Sequence, residues 1–396
     1  MPELALSRRA ALRGLGAAGL TAALAGCGVP AAYVPEDRRE GPDHSGRDRT
    51  VSFSNWPLYI DTSTDDGDDG EERRPTLDAF SEATGIRVRY TEEINDNDEF
   101  FGKISPALMN GQETGHDLVV VSDWMAARFV HLGWAQRMDR SAQSNVARHL
   151  DPQLRSPAFD EGRLHTVPWQ CGITGIAYDH DALGREIRSV QDLWQPDLAG
   201  RVTLFSGLDE SFALLMQGNG VDVTRWTGSD FHRMCDQVED LVRRKHIRRF
   251  TGNDYTSDLS KGDVLACQAY SGDVVQLQAD NPGIRFVVPE EGAELWAESL
   301  LVPNLARHKS NAEALIDHYY APEVAAQLAA SVNYVCPVPA AREILAGSGD
   351  AETAALAENP LIFPDDAMRE RLAVARDISS AERRSFAGRW NTLVGL

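Results

Sequence analysis

Asp117-Leu118-Val119-Val120-Val121-Ser122-Asp123-Trp124 sets the fold class of this chain. Four consecutive apolar residues describe a strand buried on both faces, as the strands of parallel sheets are. The run stops on a serine, an acid and an aromatic, and Ala126, Phe129, Val130 and Leu132 then follow at helical spacing. Strand, polar end and helix is an α/β unit, and open sheets of this kind bind ligands at the carboxyl ends of their strands.

The unit recurs on either side. Upstream, Val51-Ser52-Phe53 predicts a strand ending in Ser54-Asn55-Trp56-Pro57-Leu58-Tyr59. Pro75 opens a helix through Leu77, Phe80 and Ala83, with Gly85 as its C-cap. Ile86 to Tyr90 alternates as a strand, and Phe100, Phe101, Ile104 and Leu108 mark one face of a helix. Downstream, Val202-Thr203-Leu204-Phe205 runs into Asp209 and Glu210 at a helix start, and Val264 to Ala269 runs into Tyr270-Ser271-Gly272-Asp273. Phe286-Val287-Val288 predicts another strand, and Trp296-Ala297-Glu298-Ser299 precedes an apolar Leu300-Leu301-Val302. His165 to Tyr178 is one long extended stretch, as expected of a chain crossing between lobes. At 396 residues, two lobes are the default for a single chain.

The strand ends carry aromatics and acids. Trp56 and Tyr59 have no acid-base or nucleophilic capacity, but aromatic faces attract cations, and so do carboxylates. This reads as half of a box for an organic cation. The acidic run from Asp61 to Glu72 reads as a solvated loop, and its spacing misses that of a calcium-binding loop. Asp209 and Glu210 are also favourable at a helix N-terminus without any function. Each Trp has core packing as its other reading, which we prefer for Trp169, Trp194, Trp226 and Trp390.

The N-terminus reads as a targeting segment. Ser7-Arg8-Arg9 is a positive start compatible with either general secretion or twin-arginine export, and a small-residue apolar run from Ala10 ends in Leu24-Ala25-Gly26-Cys27. That ending resembles a lipoprotein cleavage box, which makes residues 1–26 a signal peptide and Cys27 the lipidated residue. Residues 27–49, rich in Pro, Gly, Arg and Asp, read as a flexible tether. The formal charge is −21, and losing three arginines and one glutamate with residues 1–26 leaves −23. Such a surface excludes nucleic-acid binding through a bulk field. Cys171, Cys235, Cys267 and Cys336 remain in a compartment that permits disulfides, with three complete pairings open.

Asn55-Trp56-x-x-Tyr59, Asp117-Leu118-Val119-Val120 followed by Ser122, Val167-Pro168 leading to Gly172, Asp192-Leu193-Trp194 with Pro196 and Gly200, Tyr270-Ser271-Gly272-Asp273 and Pro289-Glu290-Glu291-Gly292 occur in that order. Together, over residues 50–396, they resemble the bacterial extracytoplasmic spermidine/putrescine-binding proteins of ABC transporters. The resemblance implies a type II-like periplasmic-binding-protein fold of two α/β lobes joined by hinge strands, with lobe one at 50–170 and 275–396 and lobe two at 171–274. It implies a monomer without cofactor or metal that delivers a polyamine to a permease and ATPase. Trp56, Tyr59 and Trp124 would be aromatic walls and Ser122 a hydrogen-bonding group. Glu210 and Asp273 would receive amines, Tyr270 would replace a more usual Trp, and Trp296 with Glu298 would form an aromatic-and-acid pair. Gly207 stands where some spermidine-binding members carry a further acid, which Asp209 either replaces or does not, so ligand length and charge stay open. The competing readings are the same fold around another organic cation or small solute, a sensor lobe without transport, and an enzyme. The one carboxylate pair suggesting an enzyme is Glu92-Glu93, which are adjacent and point apart.

Overall fold

The apolar runs divide by parity between two cores. In the computed structural model, which describes residues 33–35, 38–64, 72–376 and 378–395, strand β1 (Thr50–Asn55) lies between β2 (Arg87–Glu92) and β3 (Leu118–Ser122), all parallel. Leu118 and Val120 pack with Val51 and Phe53 on one face, while Val119 and Val121 pack with Phe100, Ile104 and Phe129 on the other. An unbroken apolar run is what a strand covered on both sides requires. Helices α1 (Pro75–Thr84), α2 (Asn97–Met109) and α3 (Asp123–Leu132) supply part of that cover.

The crossing stretch is β4 (Thr166–Asp179), buried along nearly its whole length. Beyond it come β5 (Val202–Phe205), β6 (Ile247–Thr251), β7 (Ala266–Tyr270), β8 (Ile284–Val287) and β9 (Ala293–Leu301). The strand order is β2-β1-β3-β9-β4-β7-β5-β6, with β8 added to β4. Strand β4 pairs with β9 from Thr166 to Thr174, then with β7 from Thr174 to Tyr178. Strand β9 pairs with β3 through Glu298 to Leu301. Both strands therefore run through two lobes, each a mostly parallel sheet with its own core, and form the hinge between them.

Helices α4 (Leu208–Gln217), α5 (Gly228–Arg243) and α6 (Ser271–Asp280) belong to the second lobe, and α7 (Lys309–Tyr319) and α8 (Pro322–Val332) to the first. Residues 275–287, in α6 and β8, pack with Phe205, Tyr255 and Cys267 and so depart from the expected extent of lobe one, as does the last helix, α9 (Ser380–Val394). Ile378, Phe386 and Trp390 are buried in the cluster of Leu204, Phe212 and Phe231, and Trp390 donates its indole N–H to Ser206 O at 2.7 Å. Apolar residues on one side of α9 draw the chain back across for a third time.

Three further expectations change. Residues 38–48 of the expected flexible tether are docked. Arg39 is 3% exposed and donates to Val34 O and Ala135 O, and Asp43 accepts from Ser310 N–H near the start of α7. Asp61 does not belong to a solvated run. It is 1% exposed and accepts from the Thr76 and Gln327 side chains and from Thr76 N–H in the first turn of α1, satisfying an otherwise orphan helical donor. All four cysteines are buried free thiols, with Cys171 and Cys336 in the first lobe's core and Cys235 and Cys267 in two other clusters. The expected signal peptide, the expected lipidation site Cys27 and residues 65–71 of the acidic run lie outside the described residues.

Candidate ligand-binding site

Strand alternation puts Glu294, Trp296 and Glu298 on one side of β9. Glu298 is directly opposite Ser122, the last residue of β3, and Trp296 is opposite Gly172 of β4. A Cβ at Gly172 would come within 2.1 Å of the Trp296 indole, so only glycine lets that ring lie against the hinge strand.

Glu298 is 7% exposed and accepts the Ser122 hydroxyl at 2.5 Å. Asn97, the first residue of α2, fixes Ser122 in turn, donating to Ser122 Oγ at 2.9 Å and accepting Ser122 N–H at 3.2 Å. The Trp56 indole N–H leans toward the same carboxylate without ordinary hydrogen-bond geometry, and Glu298 Oε2 is buried with no partner among the described residues. Burial pushes Glu298 up to about 8; the Ser122 hydroxyl opposes the shift and Asp123 adds to it.

The second lobe contributes Asp273 in the first turn of α6. Its carboxylate accepts the Tyr255 hydroxyl at 2.6 Å and the Tyr334 hydroxyl at 2.8 Å. Burial raises its pKa, and the two hydroxyls resist the rise. Five rings connect the lobes. Phe205 stacks on Tyr270 at 4.6 Å, Tyr270 meets Trp296 edge-on at 5.4 Å, Trp296 meets Tyr334 at 5.9 Å, and Tyr334 meets Tyr59 edge-on at 5.3 Å.

Two more carboxylates face this chain of rings. Glu210, in the first turn of α4, folds back over Gly207, where a Cβ would lie 1.9 Å from Glu210 Oε2. Burial, then the Asp209 charge, pushes Glu210 up to about 7. Burial, then Asp209 and Glu210, pushes Glu294 up to about 8. Tyr270 stands in the field of Glu210, Asp273, Glu294 and Glu298 together. Among the described residues, no Arg or Lys forms an ion pair with Asp273, Glu294 or Glu298. Isolated buried charge is costly, so such carboxylates either stay protonated or wait for a cation.

The residues from 76 to 363, well over half the chain, match the family model for bacterial extracellular solute-binding proteins. The chain belongs to that family. This solute-binding protein is 26% identical over 324 residues to the spermidine/putrescine-binding periplasmic protein of Escherichia coli, covering 81% of this chain and 85% of the relative. It is also 26% identical over 343 residues to the putrescine-binding periplasmic protein PotF of Escherichia coli, covering 82% and 85%. In fold it is similar to the substrate-binding protein PotD of a spermidine/putrescine ABC transporter from Streptococcus pneumoniae. The TM-score is 0.73 at 23% identity, over 87% of this chain and 98% of that one.

Eight of the nine side chains singled out from sequence face one another or share one field here: Trp56, Tyr59, Ser122, Glu210, Tyr270, Asp273, Trp296 and Glu298. Trp124 is set apart, its ring covered by the guanidinium of Arg383 at 4.6 Å. Asp209 is no free substitute for the acid missing at Gly207, because Arg383 pairs with both of its carboxylate oxygens. Five participants escaped the sequence reading: Asn97, Tyr255, Glu294, Tyr334 and Arg383. Glu294 had a signal, since it lies two residues before Trp296 on the same strand face. The Glu92-Glu93 pair is spoken for, Glu92 by Arg74 at 3.0 Å and Glu93 by Lys103 and the Ser54 hydroxyl. Among the described residues no helix is long and apolar enough to cross a membrane.

Proposed function

We propose that this solute-binding protein captures a polyamine between its lobes and hands it to an ABC importer, without chemical turnover. The observation that carries the reading is Glu298 Oε2: a carboxylate oxygen buried and unpartnered beside Trp56 and near the ring chain. An ammonium would supply its missing partner. Asp273, reached from the other lobe, would take a second amine, and Tyr270, Trp296, Tyr334 and Tyr59 would line the methylene chain between them. Each cation-aromatic contact adds roughly 0.5–2 kcal/mol. The hydroxyls on Asp273 orient its carboxylate without neutralising it, so it remains available to a cation.

In this reading hinge strands β4 and β9 close a lobe made of about 50–170 and 288–371 over one made of about 171–287 and 374–395. The working form is a monomer, lifted from the membrane by a lipid on Cys27 and docking on a permease with its ATPase. Calorimetry against putrescine, spermidine and spermine tests the ligand. At least one should bind to the wild type, and Asp273→Ala should abolish that binding while leaving the thermal melt in place. No heat from any of the three would overturn the reading.

A further inference from the structure

We propose that Arg383 is a specificity-determining residue, a built-in cation that fills one acid-and-aromatic subsite at the cleft and shortens the ligand the site accepts. The inference rests on the polyamine reading above. Trp124, in the first turn of α3 on the first lobe, and Asp209, in the first turn of α4 on the second, are an aromatic face and a carboxylate two residues beyond Ser122 and one before Glu210. An aromatic ring with a carboxylate is what an ammonium end needs. Here the chain supplies that cation itself.

Arg383 reaches the place from α9, the helix that returns to the second lobe's core. Its two terminal nitrogens engage the two oxygens of Asp209, Nη2 to Oδ1 at 2.8 Å, while its guanidinium carbon lies 4.6 Å from the centre of the Trp124 ring. Both partners are held away from water, at 26% and 13% side-chain exposure. A bidentate pair is the strong form of this contact. A third ammonium aimed at this end of the cleft would have to displace it. With Gly207 offering no acid and Glu210, folded over it, also in the field of Arg383, the acids that pair with no Arg or Lys among the described residues and lie beyond its reach are Asp273, Glu294 and Glu298 around the ring chain. That arrangement suits a cation with two charged ends on a short apolar linker, an α,ω-diamine of putrescine length, over a triamine.

Isothermal titration of wild type, Arg383→Ala and Arg383→Gln with putrescine and spermidine tests this. The wild type should bind the diamine at least roughly tenfold more tightly than the triamine, a difference of about 1.4 kcal/mol. Freeing Asp209 and Trp124 should move the ratio by tenfold or more toward the triamine, and adding Asp209→Asn should cancel that gain. A wild type that binds spermidine as tightly as putrescine overturns the inference without any variant having to fold. So does an unchanged ratio in a folded Arg383 variant. If neither amine binds the wild type, the polyamine reading itself falls, a result distinct from either of these.

Discussion

Ligand capture in this cleft should release protons. Glu294 and Glu298 are pushed up to about 8 and Glu210 to about 7 in the empty site, so at about pH 6 all three hold a proton. An amine stays charged through this window, since an alkylammonium titrates near 10. It requires the carboxylate form, and binding pulls the pKa of each carboxylate it touches downward. Affinity is therefore complete above about pH 8 and falls as the pH drops. Two pH units at about 1.4 kcal/mol each make about 2.7 kcal/mol, or on the order of a hundredfold, for one such glutamate between pH 8 and pH 6. The stability of the empty protein runs the other way. A carboxyl whose folded pKa is raised above its ordinary 4.5 contributes stability that is fully present below that value and lost as the pH rises through about 8. The empty protein should melt progressively lower from about pH 5 to pH 8.5, while the stabilisation by saturating putrescine grows. Titration at three pH values in buffers of different ionisation enthalpy counts the protons. An affinity flat with pH, with no buffer-dependent heat at about pH 7, would refute the reasoning.

Glu298→Gln keeps the shape beside Ser122 but removes the charge. It should weaken the amine that binds by roughly 2–5 kcal/mol and lower the number of protons released by one in the same titration. Gly172→Ala places a methyl carbon within 2.1 Å of where the Trp296 indole lies, so the ring must shift. The cost is about 1–3 kcal/mol, read as weaker binding together with altered tryptophan fluorescence. Trp390→Ala removes a fully buried ring and its bond to Ser206, and a urea melt should show a loss of about 3–5 kcal/mol.

Much of the sheet was legible because burial on two faces writes itself as uninterrupted apolar runs. Leu118 to Val121 is of this kind, while Thr166 to Tyr178, interrupted by Gln170, Gly172 and Thr174, was legible only as a long extended stretch. Strand ends were legible for the opposite reason: Ser122-Asp123-Trp124 and Tyr270-Ser271-Gly272-Asp273 break apolar runs with polar groups and aromatics, whereas Trp296 and Glu298 lie inside β9 and were legible only as an aromatic and an acid sharing one strand face. Residues that meet the site by tertiary packing alone left no mark. Tyr334 follows a helix in a proline-rich break and reaches Asp273 only because Cys171 and Val335 bridge the hinge. Arg383 looks like any exposed arginine of an amphipathic helix until that helix is placed in the second lobe. The docked segment 38–48 misled for a related reason. Its polar composition resembles a free linker, while Asp43 and Arg39 spend that polarity on contacts with distant backbone.

The two ends of the described chain sit on opposite lobes. Residues 38–48 are fastened to the lobe that carries α7, and α9 is fastened to the other. A fluorophore pair placed near residue 40 and near residue 392 would thus span the hinge without touching the cleft, and its transfer efficiency would follow opening and closing directly. The same geometry means that, if the chain is held at its N-terminal side, the first lobe is the stationary jaw. The lobe with the C-terminal helix is then the one that travels.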